Sequence, residues 1–279
     1  MENHMMKKFA FIVLASLLSL TACGDKQDNT TSTQAAKPQI TIATSAAPKP
    51  FTYVDQNNQL VGYDIEVVKA IFDKIGKYDI RFEATEFPSV LSGLDSGRYD
   101  VGANNFGMNE VRKAKYIYTD PIFKNKYAIV VRPERDDITN FEQLRGKSTE
   151  LTPGLNYATA LEVYNESLPD NKVILEYSEA DLASILQRVE SGKYDFQLLD
   201  KAMGEQFIKE HGFKLKALPV PDDEVSKIGT PFSYLLVSKT EKGQALTEEI
   251  NQALKVLITE GKLSEISKKY FNDDFAPKQ

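Results

Sequence analysis

The sequence predicts an α/β protein whose two halves follow one plan, and three observations lead there. Strand-like and helix-like segments alternate in the order β-α-β-α-β, and that order is read twice. Nearly the same phrase, SGRYDV at 96–101 and SGKYDF at 191–196, marks the same point in each reading. With 279 residues the chain is long enough for two medium-sized units, each able to bury a core.

In the first half, residues 39–44 (QITIAT) alternate as a strand does, and Pro48-Lys49-Pro50 turns the chain. Asp64 suits an N-cap, with Ile65, Val68, Phe72 and Ile75 on one helical face and Gly76 as the stop. Residues 80–83 make the next strand. Pro88 fits the first turn of a short helix through Val90, Leu91 and Leu94, which ends at Gly97; residues 99–103 are strand again.

The second half starts after a strand over 125–131. A turn at 144–147 leads to a strand at 148–151, which Pro153-Gly154 breaks. A helix over 156–166 and a strand over 173–177 follow. Leu182, Ile185, Leu186 and Val189 fall at i, i+3, i+4 and i+7, an amphipathic helix that ends at Gly192. A strand over 194–199, a helix over 201–210, a return strand over 234–238 and terminal helices over 246–260 and 263–270 complete the pattern. Gly97 and Gly192 thus stand where a helix must end in a left-handed conformation, and the Tyr-Asp pairs after them read as structural.

Composition narrows the function. A net charge of −6 and the lack of a basic stripe exclude a nucleic-acid partner, and 42% hydrophobic with 27% charged residues is ordinary for a soluble body. Lys7 and Lys8 precede the apolar run 9–20, which is too short for a mature membrane span. Leu20-Thr21-Ala22-Cys23 then looks like a bacterial lipobox. Residues 1–22 are therefore expected to be a signal peptide, and Cys23 a lipidated (palmitate-bearing) N-terminus. Cys23 is the only cysteine, so no disulfide is expected. Residues 23–38 hold too little apolar surface to fold and read as a tether, which places the body outside the cytoplasm beside the cell membrane.

Ligands of open α/β sheets gather outside the C-terminal ends of the strands. The first phrase leads to a strand end at 104–107 with Arg112 close behind, and the second leads to Asp200. Across a cleft, a guanidinium and a carboxylate would hold the carboxylate and the ammonium of an α-amino acid. Taken singly, either charge is an ordinary surface group, and only the pairing carries the reading.

Several stretches, in order, resemble one family: PFTYVDQNNQLVGYDIEVVKAI, LDSGRYDVGANNFGMNEVRKAKYIYTDPIF, LRGK, ESGKYDFQLLD and LKVLITEGKLSEISKKYF. They are similar to the amino-acid-binding, family 3 solute-binding proteins of ABC importers over most of the chain after residue 40. The resemblance implies a two-lobe clamp of the periplasmic-binding-protein type II kind with a two-stranded hinge. Residues 39–126 and 232–279 would form lobe 1, and 127–231 lobe 2. It further implies that Phe87 stacks on the ligand side chain and that Asn104, Asn105 and Gly107 meet the ligand's polar ends. Arg112 and Asn156 would hold its carboxylate, and Asp200 its ammonium. Ser45 stands where binders of basic amino acids often carry an acid. NNFGMNEVR and TPGLNYATALEVYN look most like the cystine and sulfur-amino-acid branch. The expected partners are that ligand, ABC permease subunits and the membrane through Cys23, with the protein itself a monomer.

No cofactor or metal is expected, and no enzyme: H-E-x-x-H, G-x-S-x-G and the P-loop are all missing, and His211 reads as the end of a helix. A dehydratase-like enzyme on the same scaffold, with acid/base chemistry at Asp200, and an amino-acid-sensing protein with a separate signalling chain are the rival readings.

Overall fold

The computed structural model describes residues 36–278 apart from positions 48, 153, 154, 179, 226, 227 and 229. The expected signal peptide, Cys23 and nearly all of the tether lie outside the described residues, as does Pro48.

The chain begins with β1 (Gln39–Thr44), a hairpin of β2 (Tyr53–Val54) and β3 (Leu60–Val61), and helix α1 (Tyr63–Ile75). Then come β4 (Asp79–Ala84), α2 (Phe87–Asp95), β5 (Val101–Gly107), α3 (Glu110–Lys115), β6 (Tyr116–Tyr118) and β7 (Phe123–Lys124). A second run holds β8 (Tyr127–Val131), a 3-10 turn at Phe141–Leu144, β9 (Ser148–Leu151), α4 (Asn156–Glu166) and β10 (Ile174–Tyr177). It continues through α5 (Leu182–Glu190), β11 (Gln197–Asp200), α6 (Lys201–His211), β12 (Lys216–Pro219) and α7 (Asp222–Val225). The chain returns as β13 (Phe232–Ser238) and ends in α8 (Glu241–Thr259) and α9 (Lys262–Phe271).

The first run and the return share one sheet in the order β4-β1-β5-β13-β6, with β7 also on β13. β1 is parallel to both neighbours, as right-handed β-α-β crossovers demand, whereas β13 runs antiparallel to β5. The second run builds the sheet β11-β8-β12, all antiparallel, and the parallel pair β10-β9. Ser148 O accepts the Asp195 N–H at 2.9 Å and the Thr149 hydroxyl meets Gln197 Oε1 at 2.9 Å, which joins the second pair to the strand leading into β11. The chain passes between the two sheet systems twice, after β7 and before β13. Phe51, Tyr63, Phe123 and Phe271 pack with ring centroids 4.9–5.6 Å apart, fastening the N-terminal loop to the last helix.

Most expected elements are present, and β9 and α4 keep their expected bounds. Gly97 (φ 71°) and Gly192 (φ 81°) are left-handed as expected. Three local readings are corrected. Asp64 does not cap α1, because Gly62 occupies that position; Asp64 is buried in the first turn. The Tyr63 and Asp64 amides donate to Pro50 O and Phe51 O, both at 3.0 Å, so the preceding loop satisfies the helix start. β5 spans Val101–Gly107 instead of the expected 99–103, so it ends within 104–107 as expected but counts Asn104 and Asn105 among its own residues. The strand expected over 194–199 is displaced to Gln197–Asp200, because Tyr194 and Asp195 serve as its anchor.

Candidate functional site

Between the two sheet systems lies a cleft of about 200 Å³. On the first side it is walled by Ser45 and Ala47 beyond β1, Asn104 and Asn105 of β5, and Phe87 at the start of α2. On the second side the wall is Leu151 and Thr152 after β9, Leu155, Tyr157 and Ala158 around the start of α4, and Leu182 and Ile185 of α5. Gln197, Leu199 and Met203 complete it. The elements meet here by their strand ends and helix starts, where an α/β sheet gathers ligands.

The first wall is polar because two neighbouring strands part. β1 and β5 pair only as far as Ala43 and Gly102. Beyond that point the Asn104 side chain takes over: its Oδ1 accepts from the Ser45 amide at 2.7 Å and from the Thr44 hydroxyl at 3.1 Å. The Ser45 hydroxyl lies 2.7 Å from the same oxygen. The Phe87 ring leans on Phe106, with centroids 5.9 Å apart.

Arg112 sits behind this wall. It is 4% exposed, its guanidinium stacks 5.9 Å from the Phe87 ring and 5.4 Å from the Phe106 ring, and Nη1 donates to Gly107 O at 3.1 Å. Burial draws its pKa below the ordinary arginine value, with the neighbouring Tyr118 and Tyr116 acting the other way. Such a guanidinium keeps its charge.

Asp200, 1% exposed, caps α6: its Oδ1 accepts the Ala202 amide at 3.0 Å. Burial pushes its carboxyl up to about 7, against hydrogen bonds from the Ala202, Met203 and Lys126 amides. The orientation of the Asn125 amide that satisfies its neighbours puts its nitrogen 3.0 Å from Asp200 Oδ2 and 3.2 Å from Asn105 Oδ1. Asp200 therefore reaches the first wall through Asn125.

Of the residues singled out in the sequence, Phe87, Asn104 and Asn105 share the cleft wall, and Gly107, Arg112 and Asp200 support it from behind. Asn156 opens α4 between the lining residues Leu155 and Tyr157; the position of its side chain lies outside the described residues. The sequence reading passed over Tyr157, Gln197 and Met203. Tyr157 is 5% exposed, and its buried hydroxyl meets no hydrogen-bond partner among the described residues. Burial, followed by the charge of Asp200, holds its pKa well above the ordinary tyrosine value. Tyr157 and Met203 stand in the first turn of a helix, the same signal that picked out Asn156, whereas Gln197 opens β11 and carried no such signal. No Asp, Glu, Lys or Arg lines the cleft among the described residues. Nor do the described residues hold a cluster of three or more metal-ligating side chains, or a helix long and apolar enough to cross a membrane.

Comparison with known proteins agrees with this architecture. Residues 40–273 match the bacterial extracellular solute-binding proteins, family 3. The L-cystine-binding protein TcyA of Bacillus subtilis is 28% identical, with 96% of this chain and 99% of that protein aligned. The arginine-binding extracellular protein ArtP of the same organism is 25% identical over 96% of this chain and 100% of its own length. Among solved structures, one from work on glutathione import via GshT and the cystine ABC importer TcyBC of Streptococcus mutans is 35% identical. It superposes with a TM-score of 0.77 over 87% of this chain and 98% of that one.

Proposed function

Because the chain belongs to the family 3 bacterial extracellular solute-binding proteins, we propose that it captures L-cystine, or a closely related sulfur amino acid, for an ABC importer. The observation that carries the ligand class is the uncharged cleft, lined by the neutral polar side chains of Ser45, Asn104, Asn105, Thr152, Tyr157 and Gln197 and by apolar residues such as Phe87, Leu182 and Ile185. With Asp200 behind the wall taken by the α-ammonium, a cationic side chain would find no second acid in the lining and would be desolvated without a counter-charge, which is costly. A disulfide-linked chain is apolar at its middle, and its far end is a zwitterion with no net charge, which a lining of neutral polar and apolar side chains suits better than a cation.

In this reading Arg112 and Asn156 hold the carboxylate and Asp200 the ammonium, with Phe87 against the side chain. Lobe 1 comprises 39–126 and 232–279, and lobe 2 is 127–231. The crossings after β7 and before β13 act as the hinge. A ligand that touches both walls stabilises the closed arrangement through contacts that the open one lacks. The closed surface then docks on a membrane permease, and lipid on Cys23 keeps the protein beside it. The named relatives are binding proteins, and no catalytic step is proposed.

A second reading has its own support. The Streptococcus mutans relative comes from work on glutathione import, and at 35% it is more similar than TcyA at 28%. Calorimetry and thermal shift with L-cystine, glutathione and L-arginine decide among the three. A ligand at a hundred times its Kd stabilises the fold by about 2.7 kcal/mol, a rise of several degrees. L-cystine should give that rise; a response to glutathione alone assigns the tripeptide. Tightest binding by L-arginine would refute the neutral-cleft argument.

A further inference from the structure

Asn104 and Asn105 are consecutive residues of one strand, yet both line the cleft. Regular strands send successive side chains to opposite faces. The exception has a visible cause. Tyr234 of β13 pairs with Phe106 and Leu236 pairs with Gly102, so residues 103–105 of β5 stand against Leu235 alone. β5 therefore bulges, and at the bulge Asn105 takes φ 48°, a left-handed conformation that is strained for a residue with a side chain.

A bulge withdraws backbone groups from the ladder, and a buried amide left without an acceptor is costly. The Asn105 N–H finds its acceptor outside the sheet: Asp64 Oδ2 of α1, at 2.6 Å. Asp64 is fully buried, and its other oxygen, Oδ1, has no hydrogen-bond partner among the described residues. No salt bridge offsets its charge among the described residues. A carboxylate so placed is expensive for the fold, and among the described residues the one hydrogen bond its side chain accepts comes from the strained residue of the cleft wall.

From Asn105 the polar contacts run on across the molecule. The Ser233 hydroxyl of β13 lies in reach of both Asn105 Oδ1 and Asn125, and Asn125 reaches Asp200 at the start of α6. Asn105, Asn125, Ser233 and Asp200 are each 4% exposed or less. One buried chain thus joins Asp64 on α1 to the far wall through the return strand.

We propose that Asp64 is a positioning residue for ligand capture: by accepting the Asn105 amide it holds β5 in the bulge that turns two consecutive asparagines toward the cleft. The effect passes through Asn105 and not through contact with the ligand. It rests on the cleft being the binding site, as argued above.

L-cystine is the probe, and the variants are Asp64→Asn, Asp64→Ala and Asn105→Gly. Asparagine keeps a neutral acceptor, so Asp64→Asn should retain L-cystine affinity within about threefold, while Asp64→Ala should lose tenfold or more. Glycine adopts a left-handed conformation without strain, so removing Asp64 in an Asn105→Gly background should cost much less than in the wild type. Wild-type affinity in folded Asp64→Ala, or equal losses in both backgrounds, would overturn the proposal.

A ligand-free arm keeps it independent of the cystine assignment and of whether Asp64→Ala folds. Burial raises the Asp64 carboxyl to about 7, opposed by the Asn105 amide bond. The Asn105 amide resonance should therefore shift near that pH in the wild type and lose most of that shift in Asp64→Asn, the remainder coming from Asp200, whose carboxyl is also raised to about 7 and which reaches Asn105 through Asn125. An equal shift in the wild type and in Asp64→Asn refutes the contact. Absence of L-cystine binding in the wild type with an intact amide titration would sink the ligand assignment and leave the positioning role standing.

Discussion

SGRYDV and SGKYDF do the same work in the two halves and then lead to different ends. In the first, Asp100 Oδ2 accepts the Thr41 amide at 2.9 Å and the Asp100 amide donates to Thr41 O at 2.9 Å. In the second, Asp195 Oδ2 accepts the Ser148 amide at 2.8 Å and the Asp195 amide donates to Ser148 O at 2.9 Å. Each aspartate clips the start of its own strand to an earlier strand of its half, β1 in the first and β9 in the second. Past that clip the halves diverge. β5 bulges at 103–105 and offers two amide side chains, whereas β11 runs straight to Asp200 and hands over to α6. The repeat builds the frame, and the residues after it supply the chemistry.

The sharpest way to test that division is to remove the charge delivered by the first half. Arg112→Ala should weaken L-cystine binding by about 3 kcal/mol, more than a hundredfold, as expected when a buried charged contact is truncated. The protein should still fold, melting a few degrees lower for the lost packing on Phe87 and Phe106. Unchanged affinity by calorimetry would move the carboxylate site away from Arg112.

The second half's counterpart is Asp200. Its carboxyl is raised to about 7, so between about pH 4 and 7 the folded chain holds a proton that the unfolded chain has released. That contribution to stability is complete below about pH 4 and is lost as pH rises through 7. In Asp200→Asn, the gain in unfolding free energy on going from pH 8 to pH 5 should shrink by about 2 kcal/mol relative to wild type. Urea titrations at the two pH values measure it. Ligand affinity should fall as well, since asparagine can cap α6 but cannot neutralise an ammonium.

Much of this was legible in the sequence, and the failures share a reason. β9 and α4 were bounded correctly because Pro153-Gly154 and the apolar period punctuate them. β12 went unread: Lys-Ala-Leu-Pro neither alternates nor holds β-branched residues, and only pairing with β8 makes it a strand. Asp64 looked like a cap because an acid before an apolar run is what a cap looks like; the loop that displaced it is a tertiary contact. The bulge in β5 went unread although Gly102 stands directly before it, because a lone glycine in a strand does not say which residues leave the ladder. Leu182 and Ile185 fit the apolar face of a helix as expected, yet they line the cleft while Leu186 and Val189 of the same face are fully buried. Period reports which face is apolar, not what that face meets.

The two aspartate clips offer a milder comparison. Asp100→Ala and Asp195→Ala should each cost about 1–3 kcal/mol, because a strand amide (Thr41 in β1, Ser148 in β9) loses its acceptor, and both should leave L-cystine affinity unchanged. Asp195→Ala should cost more. It also strips a partner from Arg135, which is 12% exposed and bonded at 2.6 Å, whereas the Lys242 partner of Asp100 is 56% exposed. A loss of affinity in either variant would mean that the repeated phrase does more than frame.

Smallest of all should be the helix stops. Gly97 (φ 71°) has open space where a Cβ would stand, and at Gly192 (φ 81°) the nearest atom is 3.6 Å away, on the flexible Arg132 side chain. Neither site would clash with alanine, so only the left-handed backbone penalty remains, about 1 kcal/mol in each half. Equal losses for Gly97→Ala and Gly192→Ala in urea unfolding would confirm that the two stops are the same device. A much larger loss at Gly192 would show that Arg132, which donates to Val189 O at 2.8 Å and Tyr194 O at 2.9 Å across that turn, cannot give way. The second half's frame would then depend on a side-chain brace that the first half does without.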